Sequence, residues 1–372
     1  MGYDAFLLVS FGGPEGPEDV LPFLRNVTRG RGVPDERLAE VAEHYRHFGG
    51  VSPINAQCRA LLAALRTEFA GAGLDLPTYW GNRNWHPYLA DTVAQLRDDG
   101  IERAIAFVTS PYGSYSSCRQ YLDDIERARA EVGPGAPVID KIRHYHDHQG
   151  HIAPHADAVR AALATLPADR RASTRLVFTA HSIPTAMAAT AGPPSESGPS
   201  GESGPSSESG PSGASGGRYT AQLREVAALV AADAAPDLPW DLVWQSRSGP
   251  PHVPWLEPDV NDHLRALAAA DTTAVVVSPI GVISDHLEVV WDLDTEAAET
   301  AKQLDLDFAR AGTPGTDPRF VTMIRQLVAE RLDPAAVRLA LGSIPTWDFC
   351  DAGCCGSRPT RAGNIRLGDS GT

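Results

Sequence analysis

Seven short apolar runs punctuate this chain, at Ala5–Val9, Pro77–Trp80, Ala104–Thr109, Val138–Ile142, Arg175–Thr179, Leu242–Trp244 and Ala274–Val277. Several are β-branched and do not alternate with polar residues. A strand covered on one face alternates, so runs without alternation belong to strands buried on both faces, as in parallel sheets. Between them the pattern turns amphipathic and helical, as in Gln57–Phe69, where Leu61, Leu62 and Leu65 share a side. This βαβα rhythm predicts an α/β fold of Rossmann-like units, each a parallel sheet flanked by helices. The chain's 372 residues suffice for two such domains.

Nearly every run ends in a short polar or glycine-rich segment. These are Ser10-Phe11-Gly12-Gly13-Pro14, Gly81-Asn82-Arg83-Asn84-Trp85, Ser110-Pro111-Tyr112-Gly113-Ser114-Tyr115, Ala180-His181-Ser182-Ile183-Pro184, Gln245-Ser246-Arg247-Ser248-Gly249-Pro250-Pro251 and Ser278-Pro279-Ile280-Gly281-Val282. Open α/β sheets bind ligands outside the carboxyl ends of their strands. The segments are therefore expected to wall the site, and their aromatic residues suit a large flat ligand.

Two regions break the rhythm. Residues 192–217 are almost entirely Pro, Ser, Gly and Glu. They cannot bury apolar surface, so a disordered surface insert is expected. After Pro334 a loop-rich extension follows. The net charge of −15 disfavours nucleic acid as a partner. No apolar run approaches the roughly 20 residues of a membrane span, and no basic region precedes the first apolar stretch. A cytoplasmic, monomeric protein without stable membrane insertion is the expectation. Only Lys141 and Lys302 stand beside thirty arginines, so a lone arginine carries little information.

His181 directly follows the run LVFTA, which puts it at the mouth of a sheet. A neutral imidazole there can take up protons near neutral pH or ligate a divalent metal; it can also be an ordinary polar strand end. Downstream, Glu288, Asp292 and Glu296 recur every four residues within SDHLEVVWDLDTEA. On a helix they form one row, and like charges so spaced repel. A solvated acidic face is the bland explanation. Pointed into a cleft, the row would guide a hard or borderline cation.

FTAHSIP, QSRSGPPHVPWLEPD and SPIGVISDHLEVVWDLD, in this order, resemble three signature segments of the ferrochelatases. FGGPEGPEDVLPFLRN, HYRHFGGVSPIN and YWGNRNWHP agree with that family's N-terminal stretch, and the resemblance runs from about Ala5 to Leu332. It implies two similar domains, residues 1–145 and 146–333, with a porphyrin cleft between them. It also implies a last helix, about 317–332, that returns to the first domain. By resemblance, His181 and Glu288 are catalytic and hold the incoming iron from opposite faces of the macrocycle, with Asp292 and Glu296 as a relay. Ser52 and Tyr121 are implied porphyrin contacts, with His44 and Tyr45 on the same grounds. Arg29 or Arg31 would meet propionates, for which the planar guanidinium fork is suited. Some bacterial members carry a tyrosine able to ligate iron where this chain has Phe11, which offers no oxygen.

The implied reaction inserts Fe(II) into a porphyrin, expected to be coproporphyrin III, with protoporphyrin IX as the alternative. Two pyrrole protons must leave, which a base such as His181 can accept. Porphyrin and Fe(II) are thus the implied partners. No nucleotide cofactor is needed, and neither a Walker motif nor a GxGxxG run is present. A cobalt or nickel chelatase usually lacks the QSRSGPPHVPWLEPD segment. A non-catalytic porphyrin carrier would not require a histidine opposite an acidic row, and no GxSxG elbow supports a hydrolase.

Of five cysteines, three fall within six residues, at Cys350, Cys354 and Cys355. The pattern resembles the C-terminal cluster of ferrochelatases that carry a [2Fe–2S] centre, whose fourth ligand would be Cys118 here. Four thiolates suit such a cluster, and they equally suit zinc. Cys58, inside a helical pattern, is expected to be a small core residue.

Overall fold

The computed structural model describes residues 2–30, 32–193, 217–249, 251–350 and 353–356. Most of the predicted insert, residues 194–216, and Arg31 lie outside the described residues.

Two four-stranded parallel sheets organise the chain. Strands β1 (Ala5–Ser10), β2 (Thr78–Asn82), β3 (Arg103–Val108) and β4 (Val138–Lys141) form one, in the order β2-β1-β3-β4. Strands β5 (Arg175–His181), β6 (Trp240–Gln245), β7 (Ala274–Ser278) and β8 (Asp307–Arg310) form the other, in the equivalent order β6-β5-β7-β8. The α/β expectation holds, and β1 and β7 are buried along their whole length, as their unbroken apolar runs require. Strand β8 has no predecessor among the sequence runs. Only its Phe308 and Ala309 are apolar, and it pairs on one side alone, with β7, as an edge strand.

The order reverses direction at β1/β3 and again at β5/β7. Such a switch point opens a crevice where neighbouring crossovers diverge. His181 is the last residue of β5, in register with Gln245 of β6. The turn after β7 passes close behind it. A Cβ on Gly281 would lie 2.7 Å from the Ala180 Cα, so only glycine lets this turn approach the strand carrying His181.

The last helix, Pro318–Leu332, buries Phe320, Met323, Ile324 and Leu327 in the same cluster as Phe6, Leu8, Phe69 and Phe107 of the first half. Arg325 bonds Glu68 at 2.7 Å on its flank. The chain therefore folds its C-terminal helix back onto its N-terminal sheet. Burying four large apolar side chains contributes on the order of 6–12 kcal/mol as an upper estimate.

Beyond this helix the described extension has no strand or helix. Side chains of the main body stitch it down instead. Arg143 donates to the Leu339 carbonyl at 2.8 Å, Arg218 stacks over Trp347 at 4.1 Å, and Arg331 lies over Phe349 at 4.6 Å.

Candidate active site

His181 is held at both ends of its residue. Its carbonyl accepts from the Tyr219 hydroxyl at 2.9 Å, and Nδ1 meets the Ser182 carbonyl at 2.5 Å. The second contact makes Nδ1 the protonated nitrogen and aims Nε2 outward. Nε2 stands 3.6 Å from Oε2 of Glu288, both side chains being a little under two-fifths exposed. Burial opposes charge on the imidazole. Glu288, the Ser182 carbonyl and Asp292 outweigh it and push the His181 pKa up to about 9. A raised imidazole pKa favours the folded chain fully below its ordinary 6.5, and that benefit is lost as pH rises through about 9.

Glu288 sits in the short helix Leu287–Val290, which widens into a π-helix over Trp291–Ala297. In an α-helix four residues overshoot a full turn by about 40°. A π turn holds more than four residues, so along Trp291–Ala297 the same spacing falls short of a full turn instead of overshooting it, and Glu288, Asp292 and Glu296 stay on one side of the helix. The row descends from the half-buried Glu288 and Asp292 to the exposed Glu296. Burial and the neighbouring Glu288 hold the Asp292 carboxyl well above the usual carboxylate range. Its partner is the Ser246 hydroxyl. Ser246 has a φ of 62°, a left-handed backbone costly for serine, of the kind that collects at functional sites.

Across the row lies the N-terminal helix Asp35–His47. His44 stacks flat on Trp291, with centroids 4.0 Å apart and planes 7° from parallel. His47 and Phe48 meet the same indole edge-on. The Tyr45 phenol is raised by burial first and then by Glu288 and Asp292. The structure thus brings His44 and Tyr45 together with the acidic row. Ser52 is buried at the N-cap of the helix Pro53–Gly71, close against Gly13. Tyr121 is buried in the outer core of the first sheet, with Arg83 at 4.4 Å over its ring. Arg29 is exposed. Phe11 is exposed and lies edge-on to Phe23.

The resemblance puts His181 and Glu288 on opposite faces of a ring-wide gap. Atoms touching the two faces of a flat ring at about 3.5 Å each are about 7 Å apart. Here the pair is in contact at 3.6 Å, because opposite charges attract in this half-buried setting. A macrocycle must part the walls by about 3 Å to enter.

Sequence reasoning missed Ser246 as the partner of Asp292, because a left-handed serine leaves no mark in the sequence.

The ferrochelatase family model matches residues 3–332. The chain belongs to the ferrochelatase family. It is 54% identical to the coproporphyrin III ferrochelatase of Nocardia farcinica, over 98% of this chain and all of that one. It is 50% identical to the coproporphyrin III ferrochelatase of Streptomyces griseus, over 97% of this chain and 96% of that one. Among solved structures, SirB from Bacillus subtilis with Fe3+ superposes with a TM-score of 0.50 at 11% identity, covering 89% of this chain and 98% of that one. At that identity the likeness speaks for the fold alone.

The Glu288 carboxylate is the strongest influence raising the His181 pKa. Glu288→Gln should therefore move it from about 9 down toward or below 6.5, read from the pH dependence of the imidazole NMR signals. An unchanged midpoint would remove the pair's coupling.

Proposed function

We propose that this ferrochelatase inserts Fe(II) into coproporphyrin III, forming the iron porphyrin and releasing two protons. The observation that carries the reading is the approach of His181 Nε2 to Glu288 at 3.6 Å, where the strands of the second sheet end. The near-full-length identity to relatives named for this substrate supports it.

Parting the walls separates His181 from Glu288. The strongest interaction raising the imidazole's pKa weakens, burial lowers the pKa, and His181 becomes a base able to accept a pyrrole proton near neutral pH. Glu288, Asp292 and Glu296 offer carboxylates from the half-buried pair out to solvent, a path for iron inward and protons outward. His44, Tyr45 and Trp291 supply aromatic surface for the macrocycle. Arg29, with Arg31, would take propionates, of which coproporphyrin has four. Ser52 and Tyr121 serve as supports of the wall.

Purified protein given Fe(II) with coproporphyrin III or protoporphyrin IX should metallate the first faster, followed by the change in porphyrin absorption. Equal rates would overturn the substrate assignment.

The cysteine set is suited to a cluster. Cys118 neighbours Cys350, Cys350 neighbours Cys354, and the Cys354 and Cys355 sulfurs are 3.9 Å apart. The backbone N–H of Gly192 donates to the Cys355 sulfur at 3.4 Å, the kind of contact that tunes cluster thiolates. We assign Cys118, Cys350, Cys354 and Cys355 to a [2Fe–2S] cluster. Bound there, it would supply a redox-active cross-link between the extension and the first domain. Anaerobically purified protein should contain acid-labile sulfide and visible cluster absorption, both lost in Cys118→Ser. Zinc without sulfide in the unaltered protein would overturn the assignment.

Among the described residues no helix is long and apolar enough to cross a membrane. None of the five cysteines is in a disulfide, which fits a reducing compartment, and we place the protein in the cytoplasm as a monomer.

A further inference from the structure

After β4 the chain runs HYHDHQGHIAPH, five histidines in twelve residues, from His144 to His155. All five are buried. A buried imidazole normally donates from one nitrogen and accepts at the other. His146, although fully buried, makes no well-aligned hydrogen bond and has only a loose ion pair with Glu225 at 3.4 Å, and Asp147 Oδ1 beside it lacks a hydrogen-bond partner. Oε2 of Glu225, from the helix Arg218–Ala234, shows the same deficit. Orphaned polar atoms cost about 1–3 kcal/mol each, so three facing one another call for a ligand.

We propose that His146, Asp147 and Glu225 form a binding site for a divalent first-row transition-metal ion, such as Zn2+ or Fe2+, apart from the site of iron insertion. The three donor atoms lie within 4.8 Å of one another. His146 Nε2 and Glu225 Oε2 are 3.4 Å apart. That is long for a hydrogen bond, but two ligands each about 2.1 Å from a tetrahedral ion stand about 3.4 Å apart. One imidazole and two carboxylates suit borderline divalent ions.

The neighbouring cation does not occupy Asp147. Arg143 Nη1 lies 3.8 Å from Asp147 Oδ1, outside hydrogen-bonding range. Its five N–H groups are already used, on Glu330 twice and on His144, Leu339 and Thr346. Glu225 divides its labour. Oε1 accepts from the Ser343 backbone at 2.6 Å and from its hydroxyl at 3.1 Å, leaving Oε2 for the ion. The Leu341 N–H donates to the Asp147 carbonyl at 2.8 Å. A bound ion would thus clamp the extension at the residues that already hold it.

The full-length protein, His146→Gln and Glu225→Gln are loaded with Zn2+, desalted and assayed for zinc per chain. The unaltered protein should retain one equivalent more than either variant, and zinc should raise its melting temperature more. Equal zinc in all three would overturn the proposal. Glu225→Gln keeps an oxygen for Ser343, and its iron-insertion rate should match the unaltered protein, which separates a lost ligand from a lost fold. Should both variants unfold, Co2+ on a His181→Ala, Cys118→Ser chain decides. Cobalt bands free of thiolate charge transfer support the site, and their absence overturns it.

Discussion

His181→Ala should lower the rate of iron insertion by about 10²–10⁴-fold, the range spanned by a positioned proton acceptor, with the fold intact. The fold should survive because the side chain is partly exposed, with 38% of its surface open. The contacts that fix the end of β5 are made by the backbone: its carbonyl to Tyr219 and the Ser182 N–H to the Gln245 carbonyl. Removing the imidazole leaves both. The rate is read from porphyrin absorption and the fold from circular dichroism. A variant retaining a tenth or more of the rate would take His181 out of the chemistry.

The largest effect on stability is expected at Arg143→Ala. Arg143 is almost wholly buried and forms a two-pronged pair with Glu330, at 2.7 and 2.9 Å. Truncation leaves the Glu330 carboxylate buried without its counter-ion. Breaking one side of such a pair costs about 3–5 kcal/mol. For a chain of this length unfolding as a unit, that lowers the melting temperature by about 4–6 °C. The extension should loosen as well, because the Leu339 and Thr346 contacts leave with the guanidinium. Urea denaturation measures the first effect and proteolysis of the extension the second. A change under 1 kcal/mol would mean that Glu330 finds another partner or takes up a proton.

The parallel sheets were legible because burial on both faces imprints unbroken apolar runs, as at β1 and β7. β8 was not, because an edge strand needs no such run. His181 was legible from its place directly after LVFTA. The acidic row was legible as a spacing, but the π-helix that carries Asp292 and Glu296 is a backbone event that the side chains do not announce. The contact between His181 and Glu288 was unreadable, since no local pattern encodes a distance between residues so far apart in sequence. The histidines from 144 to 155 were plainly visible and went unread. Their meaning depends on Glu225, some eighty positions away, and only folding supplies it. Arginine's abundance hid Arg143 for a similar reason: what distinguishes it is the set of five acceptors around it.

The ends of the Ser/Gly/Pro-rich stretch are fastened side by side. The Gly217 and Arg218 N–H groups donate to the carbonyls of Ala188 and Ala191, at 3.1 and 3.2 Å, and the Gly192 carbonyl accepts from Cys355 at 2.7 Å. Residues on the two sides of this stretch are thus held at one place. Between posts so fixed a flexible segment is free to change length over evolutionary time, since doubling its length costs only about 0.6 kcal/mol of closure entropy. The posts themselves do not share that licence, because one of them also steadies a thiol of the cysteine set.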